Sequence, residues 1–485
     1  MLDLTRAMTF RRQANLIDGR WVGAAGAGTI SVKNPASGEE IGTVPLAGKA
    51  ETDAAIAAAH RAFPGWSALL ASERAAKLFA LADLIRTQAE ALAELLTLEQ
   101  GKPLAEAKGE VLGGAAYIQW FAEEAKRVYG DVIPSPFPAR RILVTREPVG
   151  VVAAITPWNF PFSMLARKLG AALAAGCTIV AKPSELTPYS GLAWGVLAEK
   201  AGIPAGVVNI VTGDASAIGA TMTDSALVRK VTFTGSTRVG KLLAEASARS
   251  MKRYSMELGG NAPFIVFDDA DLDASVEGAM AAKYRNSGQT CICTNRFYVQ
   301  NGVYDAFAAK LAEKVKALTV GPGFAAGTMQ GPLINEAAIT KVEALVHDAT
   351  ARGGKVLVGG KLHALGGNFY EPTLITRGTQ KMRIAREEVF GPVSVLFPFE
   401  TEEEAVEMAN ATEYGLASYF FTRDLARIFR VSAELKFGMV GINTGIITTE
   451  VAPFGGTKES GVGREGSKYG LDDYLDVKYL SIGGL

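Results

Sequence analysis

Between Glu51 and Gln100 apolar positions recur at helical spacing in a stretch rich in Ala, Leu and Glu, and Pro64-Gly65 predicts a break within it. Ser72 and Glu73 mark a helix start beyond the break. A further long helix is predicted over about Leu104–Ala125. Upstream, residues 15–45 alternate and carry turn signals, which predicts short strands. Downstream, Pro134, Pro136 and Pro138 mark an extended segment, followed by a strand at Arg141–Arg146.

The pattern then changes to alternating units. Val151–Thr156 reads as a buried strand, Phe162–Ala175 as a helix, Thr178–Lys182 as a strand and Tyr189–Ala201 as a helix. Val207–Val211 and Lys230–Phe233 are strands followed by Gly-rich turns. Such alternation predicts a parallel, doubly wound sheet. A second α/β region follows: Pro263–Phe267, a helix at about Leu272–Ser287, Arg296–Val299, Val303–Leu318, then 339–359 and 403–430. The chain ends strand-like over about Leu471–Ile482. At 485 residues it is too long for one ordinary core, so two or three domains are expected.

Composition narrows the class. With 48% hydrophobic and 21% charged residues the chain is globular. Fifty basic against fifty acidic residues leave no field to draw it to nucleic acid or an anionic membrane. Its longest strongly apolar run, about Leu169–Ala181, falls short of the roughly 18–20 residues a membrane span needs. Three cysteines and no visible secretory signal make a reducing, cytoplasmic setting the expectation.

Two of those cysteines lie in Arg285-Asn-Ser-Gly-Gln-Thr-Cys291-Ile-Cys293-Thr-Asn-Arg296. Small and polar neighbours allow a tight turn with an approachable sulfur, so Cys291 is the candidate nucleophile. Cys177, in Ala-Ala-Gly-Cys177-Thr-Ile-Val, reads as structural. Only three histidines occur, none near Cys291 in sequence, which weakens a Cys-His dyad. No second Cys/His cluster accompanies Cys291 and Cys293, so no metal site is expected.

Five further motifs each have a bland reading beside a functional one. Val231-Thr-Phe-Thr-Gly235-Ser236-Thr237-Arg238-Val239-Gly240-Lys241 is a strand, turn and helix start suited to a phosphate. It nearly matches the phosphate-loop pattern, but Leu242 stands where an NTPase needs a metal-binding hydroxyl. Pro157-Trp158-Asn159-Phe160-Pro161 follows a strand end, where Asn159 offers a donor for an oxyanion; alone it is a rigid turn. Lys182-Pro183-Ser184-Glu185 can bracket a ribose, and the Glu185 carboxylate would repel a 2′-phosphate; alone it is a surface ion pair. Met256-Glu257-Leu258-Gly259-Gly260 sets an acid among small residues, either a general base or a hinge. Glu387-Glu388-Val389-Phe390 can hold a second ribose and a flat ring, or be a solvated turn.

In this order the motifs resemble the aldehyde dehydrogenase superfamily, from Trp21 to the C-terminus. Glu257-Leu-Gly-Gly with Gly288-Gln-Thr-Cys291 is the most specific part. The cysteine stretch, with Val440-Gly-Ile-Asn-Thr-Gly-Ile-Ile-Thr448-Thr-Glu-Val-Ala-Pro-Phe-Gly-Gly456 and Gly463-Arg-Glu-Gly-Ser-Lys-Tyr-Gly470, is similar to the succinate-semialdehyde subgroup. The resemblance implies an α/β fold with a Rossmann-type cofactor domain (1–126 and 148–257), an α/β catalytic domain (258–460) and a small β oligomerisation element (127–147 and 470–485). It implies Cys291 as nucleophile, Glu257 as base and Asn159 as oxyanion donor. Trp158, Lys182, Ser184, Glu185, Gly235, Ser236, Leu258, Glu388 and Phe390 would contact NAD, with NADP an alternative. Arg167, Arg285 and Thr448 would hold the acid tail of a semialdehyde, of succinate or glutarate length. Read alone, Arg167-Lys168 is a solvated basic pair on a helix. Cys293 is either a redox partner of Cys291 or a spacer, and a homodimer or homotetramer is implied.

Overall fold

A computed structural model describes residues 4–23, 26 and 28–485; residues 24, 25 and 27 of the predicted 15–45 strand region and residues 1–3 of the first expected domain lie outside the described residues. Two sheets organise the chain. The first runs, edge to edge, Gly461–Val462, Arg253–Glu257, Val228–Thr234, Val151–Ile155, Thr178–Lys182, Val208–Ile210, Asn15–Ile17, Arg20–Val22. Its five inner strands from Arg253–Glu257 to Val208–Ile210 are parallel, and both margins are closed by antiparallel strands. In Val151–Ile155 the side chains of Val151 and Ala153 join the apolar cluster on one face while Val152 and Ala154 join the other, the period of two that a sheet covered on both faces requires.

The chain winds outward through Val151–Ile155, helix Ser163–Ala175, Thr178–Lys182, helix Pro188–Lys200 and Val208–Ile210, then returns to place Val228–Thr234 on the opposite side of the starting strand. That reversal opens a crevice beyond the carboxyl ends of Val151–Ile155 and Val228–Thr234, where ligands of doubly wound sheets bind.

The second sheet runs Lys355–Val358, Thr373–Thr376, Val393–Phe399, Thr294–Gln300, Ala262–Val266, Ala417–Phe421, Met439–Ile442, parallel except at its first pair. A third, antiparallel sheet joins Asp131–Ile133, Arg140–Pro148 and Leu475–Gly483. Among the described residues no helix is long and apolar enough to cross a membrane.

Several expected boundaries move. Helix Lys49–Ser67 runs through Pro64 rather than breaking at Pro64-Gly65. The proline removes one backbone donor, but buried Trp66 donates its indole N–H to the Leu173 carbonyl at 3.2 Å and keeps the last turn packed. Ser72 does not cap the next helix, Ala71–Thr87: the Glu73 carboxylate accepts from the Leu70 N–H at 2.7 Å instead. The helix expected to reach Ser287 stops at Lys283, because Asn286 and Ser287 turn left-handed (φ 53° and 54°) and Gly288 follows at φ 74°. A Cβ on Gly288 would lie 2.1 Å from the Gly391 carbonyl oxygen, so only glycine fits this crossing.

Candidate active site

Two cavities meet at Cys291. The first, about 330 Å³, occupies the crevice of the first sheet and is lined by Trp158, Asn159, Gly235, Ser236, Glu257, Leu258, Cys291, Glu388 and Phe390. The second, about 320 Å³, also reaches Cys291 and is lined by Tyr117, Phe160, Arg167, Arg285, Cys291, Thr448 and Phe454. Cys291 is half-buried, whereas Cys177 is fully buried with its thiol donating to the Tyr474 carbonyl, and all three cysteines are free. Burial and the nearby Glu388 carboxylate push the Cys291 thiol up to about 12, although Arg167 pulls the other way. The sulfur is therefore protonated at rest and needs a base or a new positive charge to become a nucleophile.

The left-handed turn fixes what surrounds it. Asn286 donates from Nδ2 to the carbonyls of Asn159 (2.9 Å) and Gln289 (3.2 Å) and accepts from Gln100 Nε2. Asn159 Nδ2 also donates to the Gln289 carbonyl at 3.0 Å, and its Oδ1 is buried without a hydrogen-bond partner. An amide nitrogen has two hydrogens, so one remains for a ligand. Beneath this, Lys102 and Glu110 form a buried ion pair at 2.6 Å; Lys102 also donates to the Asn159 carbonyl, and Glu110 accepts from the Phe162 and Ser163 N–H groups.

Glu257 ends the strand Arg253–Glu257 and is 4% exposed, with Oε2 unpartnered. Burial, then the neighbouring Glu465, hold its carboxyl well above the ordinary range, while Lys168, Arg167 and Arg464 oppose them. Arg167 and Lys168 are 4% and 0% exposed, so the solvated basic pair does not exist. Lys168 binds Glu465 and, at 2.7 Å, the Thr234 hydroxyl. Arg167 lies between the rings of Tyr117 (4.8 Å) and Phe454 (4.3 Å), with Nη1 3.6 Å from Glu465 and both Nε and Nη1 lacking a hydrogen-bond partner. A buried guanidinium with two unpartnered nitrogens and a half-buried Arg285 line one cavity, an arrangement able to hold an anion.

The first cavity suits a nucleotide. Gly235 and Ser236 bring the N-terminus of helix Thr237–Ala248 to it. The rings of Trp158 and Phe390 meet edge to face at 5.6 Å, beside Glu388, which accepts from the Gly260 N–H at 3.1 Å and is pushed up to about 7 by burial. Lys182, Ser184 and Glu185 do not line this cavity; they follow the adjacent strand, Lys182 paired with Glu185 at 2.8 Å and Ser184 accepting from the Leu186 N–H. Thr448 lines the second cavity, its hydroxyl buried without a partner. Cys293 is buried, its thiol donating to the Lys283 carbonyl at 3.3 Å. Among the described residues no group of three or more His, Cys, Asp or Glu side chains is gathered for a metal ion.

Sequence reasoning missed Lys102, Glu106, Glu110 and Tyr117 on the first half of the chain. Glu465, within the resembling stretch Gly463–Gly470, pairs with both Arg167 and Lys168, which its sequence neighbours do not announce.

Residues 21–480 match the aldehyde dehydrogenase family. The chain is 57% identical to the glutarate-semialdehyde dehydrogenase of Pseudomonas aeruginosa over 484 residues, covering 100% of both chains. It is 55% identical to the NADP(+) succinate-semialdehyde dehydrogenase GabD of Escherichia coli over 482 residues, covering 99% of this chain and 100% of the relative. The crystal structure of succinate-semialdehyde dehydrogenase from Burkholderia pseudomallei superposes with a TM-score of 0.97 at 57% identity, covering 98% of this chain and 99% of that one. With the cysteine turn between two cavities and these likenesses across its length, the chain belongs to the aldehyde dehydrogenase family.

Proposed function

We propose that this aldehyde dehydrogenase oxidises a semialdehyde bearing a carboxylate, with succinate semialdehyde the expected substrate and glutarate semialdehyde the alternative. The observation that carries the reading is Arg167 with Arg285 in a cavity that reaches Cys291 and is lined by none of Trp158, Glu388 and Phe390. The acid tail sits against the two guanidinium groups with the Thr448 hydroxyl nearby, and the aldehyde carbon faces the sulfur.

Cys291 Sγ attacks that carbon, forming a C–S bond as the carbonyl π pair moves onto oxygen; the thiol proton passes to Glu257, which releases it to solvent before its later task. The carbonyl oxygen gains the charge, and the free Asn159 Nδ2 hydrogen with the Cys291 backbone N–H stabilises it. Trp158, Gly235, Ser236, Glu388 and Phe390 would hold NAD or NADP in the first cavity, where it would supply the hydride acceptor that converts the Cys291 adduct into a thioester. Glu257 takes a proton from water, the hydroxide adds to the thioester carbon, and the Cys291 thiolate departs with release of the acid.

The cofactor reading favours NAD. Glu185 is half-exposed and, despite the upward push of burial, the Lys182 charge and hydrogen bond hold its carboxyl below the ordinary range. An ionised carboxylate at the adenosine ribose accepts hydroxyls and repels a 2′-phosphate. Ser184 belongs to the same contact.

The oligomerisation element is assigned to 127–147 with 470–485, the cofactor domain to 1–126 with 148–257, and the catalytic domain to 258–460. Strand Leu475–Gly483 supports the first assignment, since Val477, Tyr479 and Ile482 are 66%, 62% and 40% exposed on it. A homodimer or homotetramer would cover them. Free thiols throughout fit a cytoplasmic setting.

Steady-state rates with succinate semialdehyde, glutarate semialdehyde and butanal, each with NAD and NADP, test the reading. Butanal outperforming both acids overturns the arginine clamp, and NADP outperforming NAD overturns the Glu185 argument.

A further inference from the structure

Glu106 lines the same cavity as Arg167 and Arg285, so a carboxylate stands in a cavity proposed to hold an anion. It occupies the first turn of helix Leu104–Glu124, where the helix dipole favours a negative charge. Its Oε2 accepts from the backbone N–H of Asn286 at 2.8 Å. Asn286 follows Arg285 directly and is the left-handed residue that turns the chain toward Cys291. Arg285 itself packs over the Phe160 ring at 5.4 Å and, among the described residues, has no carboxylate within ion-pair distance. Its charge is therefore not met by an ion pair, and the backbone at Arg285–Asn286 sets where the side chain starts. Burial pushes the Glu106 carboxyl up, while Lys102, the Asn286 N–H and Arg285 pull it back.

We propose that Glu106 is a positioning residue for substrate specificity: by tying the Asn286 N–H to helix Leu104–Glu124 it aims Arg285 into the cavity without neutralising it. The inference rests on the reading of Arg285 as an anchor for the substrate carboxylate. Glu106 is a hydrogen-bond partner of Asn286 rather than of Cys291, so its removal should weaken recognition of the acid tail, while any loosening of the Asn286 bond to the Asn159 carbonyl should lower kcat for both aldehydes alike.

The test is steady-state kinetics of Glu106→Ala, Glu106→Gln and Arg285→Ala with succinate semialdehyde and with butanal. Loss of one hydrogen bond to a charged acceptor corresponds to about tenfold in affinity. Glu106→Ala should raise KM for succinate semialdehyde by that factor, raise KM for butanal far less, and leave the kcat ratio between the two unchanged. Glu106→Gln keeps an acceptor for the Asn286 N–H and should restore most of the loss. Should the alanine variant fail to fold, Glu106→Asp, one methylene short of the N–H, carries the same comparison. Equal effects on KM for both aldehydes, no effect on either, or a glutamine variant as impaired as alanine overturns the inference. If Arg285→Ala discriminates between the aldehydes and Glu106→Ala does not, the inference alone falls. If Arg285→Ala treats both alike, the clamp fails and the inference falls with it.

Discussion

Asn159 and Gln289 are joined by a hydrogen bond of 3.0 Å from side-chain amide to backbone carbonyl, two residues before the sulfur of Cys291. The amide is thus anchored by the turn that carries Cys291, and one of its hydrogens is left for a ligand. Replacing Asn159 with alanine should lower kcat by about a hundred- to a thousandfold, the usual cost of one preorganised donor. Steady-state rates with a thermal melt would check that the loss is chemical rather than structural. Cys291→Ala should show no dehydrogenase turnover at all.

Glu257 carries a pH prediction. Its carboxyl is held above the ordinary range, and only the ionised form takes a proton from water. Turnover limited by thioester hydrolysis should therefore rise with pH through the raised pKa and fall on acidification. Glu257→Gln should erase this limb and lower kcat by about a hundred- to ten-thousandfold, seen as a burst of reduced cofactor followed by slow turnover.

Alkylation reports on the thiol directly. With Cys291 pushed up to about 12, iodoacetamide inactivation of the free enzyme should keep accelerating with pH and show no plateau below pH 10. Glu388→Gln removes the second-largest upward push and should speed inactivation at a fixed pH. Cys177, fully buried and pushed up to about 11, should stay unlabelled by mass spectrometry.

The Lys102–Glu110 pair predicts a stability loss. Both side chains are essentially inaccessible, at 0% and 1%. Glu110→Ala would strand a buried ammonium and free two backbone donors, a cost of about 3–5 kcal/mol. A large drop in the thermal midpoint would register it, and an unchanged midpoint would contradict the burial.

What was legible followed from local chemistry. The period of two in Val151–Ile155, the Gly-rich turn at Gly235-Ser236 and the small residues around Cys291 each carry their structural reason within a few positions. Lys168 and Glu465 lie 297 positions apart, and no periodicity announces that they meet. A lysine beside an arginine on a helix reads as solvated until a distant carboxylate is known to cover it. The helix end at Lys283 was misplaced for a related reason: Asn286 and Ser287 turn left-handed because Glu106, Gln100 and Asn159 hold Asn286, partners far off in sequence.

The strand Gly461–Val462 pairs antiparallel with Met256 and Glu257, and Gly461 approaches so closely that a Cβ there would lie 1.8 Å from the Met256 carbonyl oxygen. The same stretch of chain continues past Glu465 into the outer strand Leu475–Gly483. One short tether thus leads from Glu257, past the carboxylate that pairs with the buried cations, to the exposed third sheet. A change of length between 463 and 474 would have to be absorbed at Glu257 or at that outer face, which leaves this tether little freedom to vary without altering one of them.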